Sequence, residues 1–232
     1  RKVGADMAAE KMKEARKCAA IIAAFPFVRA VFVSGSLSKG YADEKSDIDF
    51  FIITSEKRLW ICRTFLHLFK KFTFIVNRQH SFCMNYFIDE SQLCLEENNI
   101  FTATELATLI PVHNRDLHKL LLKKNKEWMS DYFPNIGLNV DEHNSVPTSP
   151  KIKTPVEWLL NRIWPERVNL ALMQLTDKLW RLKWQRKNYP MEDYDIAMKT
   201  KWYVSKQHPL NYQKKVLRLN NDETLRVAGL DL

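Results

Sequence analysis

The chain has 232 residues, of which 46% are hydrophobic and 27% charged. Those proportions belong to a folded globular protein and exclude a disordered or low-complexity one. A net charge of +9 favours polyanionic partners, meaning nucleotides, nucleic acid or anionic surfaces, without choosing among them.

Cys18, Cys62, Cys83 and Cys94 form no CxxC pair. A disulfide framework and a zinc site are therefore not expected, and reduced thiols in a cytoplasmic protein are. The longest apolar stretch, "AAIIAAFPFVRAVFV", is broken by Pro26 and Arg29. It falls short of the roughly 20 residues of a membrane span, so neither a membrane partner nor a secretory leader is expected.

Residues 5–24, rich in Ala, Lys, Glu and Met, read as a helix that stops before Pro26. "VRAVFVSG" reads as a buried strand bounded by glycine. "SLSKGYADEKS" is loop or short helix, and "DIDFFIIT" is a second strand. "SEKRLWICRTFLHLFKKF" is a helix with Ser55 as its cap, and "HSFCMNYFID" a third strand. The order helix, strand, strand, helix, strand predicts a mixed α/β (α+β) module.

The second half reads as helical. "TATELATLI" has Thr102 or Thr104 as cap, and "DLHKLLLKKNKEWMSDYF" ends at Pro134. Residues 137–153 are polar, proline-containing and aperiodic, as in a linker or long loop. "TPVEWLLNRIW" opens with a Thr cap and proline, and "PERVNLALMQLTDKLWRLKWQRK" repeats the proline start. Val168, Leu172, Leu175, Leu179 and Leu182 step by 4, 3, 4 and 3, one face of an amphipathic helix. Residues 191–232 look helical until the last few. The expected division is an α/β domain over 1–100 and a mainly helical domain over 101–232.

The chemistry concentrates in "VSGSLSKGYADEKSDIDFFII", residues 33–53. Asp47 and Asp49 are two apart at the head of an apolar strand, so they share a face, about 6.5 to 7 Å apart. Two such carboxylates repel and resist ionisation unless a cation compensates them. Mg²⁺ (or Mn²⁺) prefers carboxylate oxygens, and paired carboxylates can bridge two ions about 3.5 to 4 Å apart. The turn "SGSLSKG" offers the complement. Gly35 permits close backbone approach, Ser36 and Ser38 carry hydroxyls, Lys39 adds charge, and Gly40 closes the turn.

Apolar-Gly-Ser, a short gap, Gly, six residues, then Asp-x-Asp and an apolar strand: this pattern resembles the DNA polymerase beta-like nucleotidyltransferase superfamily, over approximately residues 28–90. The resemblance implies Mg²⁺-dependent transfer of a nucleoside monophosphate from an NTP, ATP foremost, to a hydroxyl acceptor, with pyrophosphate released. It implies phosphate contacts at Gly35 and Ser36, metal ligands at Asp47 and Asp49, and a mixed sheet with flanking helices. The helices beyond residue 100 would shape the pocket for a small-molecule or protein acceptor.

The family's third carboxylate, on a later strand, falls in "SFCMNYFIDE" at Asn85, which cannot take a proton. Asp89, four residues on, is expected on the same strand face. Either Asp89 fills the role, or the acceptor-side metal is weak, or the chain is a nucleotide- or partner-binding protein that has lost catalysis. Further candidates to face a triphosphate are Lys206, His208, Tyr212, Lys214 and Lys215 in "SKQHPLNYQKK". Trp158, Trp164, Trp180, Trp184 and Trp202 are interleaved with Lys178, Arg181, Lys183, Arg186 and Lys187. Core packing is the favoured account of them, and a polynucleotide the less favoured partner. The six histidines show no metal-like spacing.

Overall fold

A computed structural model describes residues 2–75, 81–135, 150–208 and 211–227. Helix α1 (Lys2–Ala24) is followed by β1 (Val28–Ser34), the single turn α2 (Gly35–Ser38), β2 (Asp49–Thr54), α3 (Leu59–Ile75) and β3 (Cys83–Asp89). Then come α4 (Ile100–Ala107), β4 (Ile110–His113), α5 (Arg115–Met129), α6 (Pro150–Ile163) and α7 (Glu166–Arg186). After a 3₁₀ turn (Met191–Asp193) the described chain closes with α8 (Tyr194–Ala197), β5 (Met198–Lys201), β6 (Val204–Gln207) and α9 (Tyr212–Val227). Among the described residues no helix is long and apolar enough to cross a membrane.

Among the described residues six strands form one mixed sheet in the order β4-β1-β2-β3-β6-β5. β2 runs parallel to β3, and every other neighbouring pair is antiparallel. Alternation along the strands builds two cores, as period two requires. Val31, Val33, Phe50, Ile52, Met84 and Phe87 pack with α1 and α3 on one face. Ala30, Phe32, Phe51, Ile53 and Ile88 pack with α4 and α5 on the other. The architecture is therefore a sheet between helical layers, with further helices toward the C-terminus.

Several expectations change. Residues 198–207, expected to be helical, are strands β5 and β6, and β4 was not foreseen. Among the described residues, three of the six strands thus come from beyond residue 100. Ser55 does not cap α3, which begins four residues later. Its first turn is capped across 109 residues by Asn169 of α7, whose Oδ1 accepts from Trp60 N at 2.8 Å and Ile61 N at 3.2 Å. Asn99, not Thr102 or Thr104, caps α4, accepting from Thr102 N at 3.0 Å. Helix α6 begins at Pro150, so Thr154 and Pro155 lie inside it. The part of the expected linker at 137–149, with His143, lies outside the described residues, as does His80.

The leucine stripe of α7 does not turn wholly inward. Leu172 packs against the main core, but Leu175 and Leu179 are more than half exposed and Leu182 is also exposed. Trp180 and Trp184, one and two residues past Leu179 and Leu182 of that stripe, are the buried ones. The Arg63 guanidinium stacks 4.5 Å over Trp180, so the helix uses its tryptophans for packing. Trp158 and Trp202 are exposed.

Candidate functional site

The strand alternation ends at a cavity of about 690 Å³, within the range of small-molecule sites. Its floor is the end of the sheet where β1 stops and β2 and β3 begin. Ser34 pairs with Asp49 across β1 and β2, and Asp49 pairs with Cys83 across β2 and β3. Ser34, Gly35, Ser36, Lys39, Asp47, Asp49, Cys83 and Asn85 all line this end of the cavity. Asp47 precedes the first residue of β2, yet the alternation persists: Ile48 between the aspartates is buried in the opposite core.

Gly35 makes the turn possible. Its φ is +69°, the left-handed region where glycine alone pays no steric cost. A Cβ there would sit 2.4 Å from Asp49 Oδ2, so the backbone of α2 lies directly on the carboxylate. The Ser36 side chain is on the exposed rim. Ser38 and Gly40 do not line the cavity. The Ser38 hydroxyl instead donates to Gly35 O at 2.9 Å, while Gly40, at φ +73°, has open space around it. Lys39 Nζ donates to Gly35 O at 3.0 Å and pairs with Glu105 Oε1 at 2.8 Å.

Burial pushes the Asp49 carboxyl up to about 6, and the negative charges of Asp47 and Glu105 push it the same way. The Cys83 thiol and the charge of Lys70 oppose them. Asn85 Nδ2 donates to Asp49 Oδ1 at 3.1 Å and also meets Cys83 Sγ at 3.1 Å.

Asp89 is not brought to the cavity. The pairing of β2 and β3 shifts between Phe50 and Phe51, leaving Asn85 as an extra residue, a β-bulge. The bulge puts Asn85 and Tyr86 both on the cavity side, and Asp89 then falls on the other face. There its carboxylate accepts from Lys57 N at 2.6 Å, Ser91 N at 3.0 Å and Ser91 Oγ at 2.6 Å. A period-two count from Asn85 could not see this inserted residue.

The walls come from later in the chain. Phe101, Thr102, Glu105 and Leu106 are the inward stripe of α4. Lys206, His208 and Tyr212 also line the cavity, as does Gln213. Lys214, by contrast, pairs with Asp193 at 2.7 Å. Glu97 and Glu105 carried no sequence signal of their own; only the fold turns them inward.

Residues 15–130 match the family model of the nucleotidyltransferase domain. The chain belongs to the nucleotidyltransferase domain family. The matched span holds the floor of the cavity, with both aspartates, Asn85 and Glu105, and stops before the wall residues at 196–197, 206–208 and 211–213. Among curated proteins and among solved structures no match to this nucleotidyltransferase-domain chain was found.

No group of three or more His, Cys, Asp or Glu side chains that could hold a metal occurs among the described residues. The donors present, two carboxylates and the Asn85 amide, fit a different arrangement. Mg²⁺ is commonly held by one or two carboxylates and completed by substrate phosphate and water, not by an all-protein cage. A buried carboxylate with a like-charged neighbour is also where a divalent cation gains most.

Proposed function

We propose that the chain transfers a nucleoside monophosphate from an NTP, ATP foremost, to a hydroxyl acceptor, with a divalent cation, Mg²⁺ or Mn²⁺, and release of pyrophosphate. The observation that carries this reading is the Ser34–Asp49 pairing, which sets the glycine turn against the aspartates on one cavity floor. Asp47 and Asp49 would hold the cation, which when bound offsets charge on the phosphates. The turn at residues 35–40 would meet the phosphates through the Gly35 backbone, the Ser36 hydroxyl and the Lys39 ammonium. The acceptor, a small molecule or a protein side chain, would enter between α4 and the wall formed by residues 196–197, 206–208 and 211–213. On this reading residues 1–100 carry nucleotide and cation, and residues 101–232 shape the acceptor side. A reducing, cytoplasmic setting is part of the proposal, supported by the separately buried Cys18 and Cys62 thiols.

A second reading is a nucleotide-binding or partner-binding protein of the same family without turnover. It is favoured by Asn85, whose amide donates to Asp49 where the family's third acid would stand.

Calorimetric titration with the four NTPs, with and without Mg²⁺, tests both readings on wild type and Asp47→Ala. Mg²⁺-dependent binding lost in the variant, with pyrophosphate released, supports transfer. Binding without release for any acceptor supports the second reading. Affinity that ignores Asp47 sinks the site assignment altogether.

A further inference from the structure

Two carboxylates besides the aspartates line the cavity, Glu97 and Glu105. Glu97 is committed. Lys206, 3% exposed, donates to its Oε2 at 2.8 Å while also donating to Gln213, and Lys199 holds its Oε1 at 3.3 Å. Breaking that network would strand a buried ammonium. Glu105 is held differently. Among the described residues its carboxylate has one partner, Lys39, and the two side chains are 31% and 34% exposed. Such a half-exposed pair is weak and exchanges readily.

Lys39 also stands at the glycine turn, its ammonium donating to Gly35 O at 3.0 Å. A lysine is a point charge on a flexible stem and follows the strongest anion within reach. A triphosphate on the turn carries more charge than one carboxylate, so the two compete for Lys39. The acid that loses stands in the cavity that Asp47 and Asp49 line, while Asn85 cannot accept a proton and Asp89 is bound on the far face.

We propose that Glu105 supplies the third carboxylate of this site, masked by Lys39 until a triphosphate draws that lysine to itself. The inference rests on the nucleotidyltransferase reading above. The uncovered carboxylate takes the proton of the acceptor hydroxyl as the hydroxyl oxygen bonds to the α-phosphorus. The bond from that phosphorus to the pyrophosphate oxygen breaks, and pyrophosphate leaves with the electron pair. Nucleotide binding and exposure of the base are thereby coupled through one ion pair.

The coupling gives opposite signs for binding and turnover. In EDTA, Glu105→Gln frees Lys39 and should tighten ATP about two- to fivefold by calorimetry, the range of a half-exposed pair. With Mg²⁺ the same variant should lose about a hundredfold or more in pyrophosphate release, the scale of a general base. Glu105→Asp should recover part of that release. Lys39→Met should weaken ATP, and adding Glu105→Gln to it should leave affinity unchanged. ATP affinity in Glu105→Gln that is unchanged or weaker overturns the proposal, and so does undiminished pyrophosphate release. If ATP binding depends on Asp49 while Glu105→Gln is inert, only the role of Glu105 falls. If wild type binds no ATP at all, the nucleotidyltransferase reading falls with it.

Discussion

The side-chain amide of Asn85 donates to Asp49 Oδ1 at 3.1 Å, from the bulged residue of one strand to the first residue of its parallel neighbour. A neutral donor here adds no charge of its own and offsets part of the cost of burying the carboxylate. Asn85→Asp removes the donor and adds a third like charge. Without divalent cation the variant should lose about 1 to 3 kcal/mol of stability, and Mg²⁺ should restore more of it than in wild type. Thermal melts in EDTA and in Mg²⁺ check this; equal losses in both would argue against a cation at Asp49.

The same crowding predicts that Asp49→Asn is more stable than wild type in EDTA. Burial and the neighbouring Asp47 disfavour the ionised carboxylate, whose pKa is raised to about 6. Removing the charge should gain about 1 to 3 kcal/mol at neutral pH. The variant should also lose any stabilisation by Mg²⁺ or by ATP with Mg²⁺. Urea titrations with and without the cation measure both effects.

Gly35→Ala should be costly for stability and for binding alike. The φ of +69° strains any side chain, and the new methyl would overlap Asp49 Oδ2, 2.4 Å away. A loss of about 2 to 4 kcal/mol is expected, together with weakened nucleotide affinity. Gly40→Ala shares the positive φ but meets no atom, so it should cost only about 1 to 2 kcal/mol and spare the affinity.

His118 gives a pH dependence far from the aspartates. It is 3% exposed, its ring meets Phe32 edge-on at 5.0 Å, and neither nitrogen has a hydrogen-bond partner among the described residues. Burial, aided by the charge of Arg115, pushes its pKa down to about 4 from the ordinary 6.5. Folding therefore favours the neutral ring. That stability is fully present above pH 6.5 and is lost as pH falls toward 4, by up to about 3 kcal/mol. His118→Phe should flatten the stability profile between pH 6.5 and 4; a parallel profile would place the pH dependence elsewhere.

Asn169 tests how α3 is started. Asn169→Ala leaves the backbone N–H groups of Trp60 and Ile61 buried without an acceptor, and should cost about 1 to 3 kcal/mol. Ser55→Ala should cost much less, because the Ser55 hydroxyl makes no hydrogen bond among the described residues. Chemical denaturation of the two variants ranks them, and the opposite ranking would refute the capping assignment.

Much of the floor was legible because its causes are local. "VRAVFVSG" and "DIDFFIIT" carry β-branched and aromatic runs that can only be buried strands, and Gly35 marks the turn between them. Asp47, Ile48 and Asp49 alternate in and out as period two demands, even though Asp47 precedes the strand. The α7 stripe failed for the converse reason. A 4-3-4-3 spacing says that leucines share a face, not that another surface covers it, and Trp180 and Trp184 had the larger area to bury. Strands β5 and β6 were missed because "MKTK" and "VSKQ" are short and polar. They become strands only by pairing with each other and with β3.

The sequence by itself determined the paired aspartates, the glycine turn and the buried strands behind them, since each follows from spacing, side-chain volume and charge over a few residues. Only the tertiary structure decided which acids share the cavity. The bulge at Asn85 turns Asp89 away, and α4 brings Glu105 in beside Lys39, 66 residues distant in the chain. Register and helix docking set those positions, and both are fixed by burying distant apolar faces together, a sum over contacts that no local stretch contains.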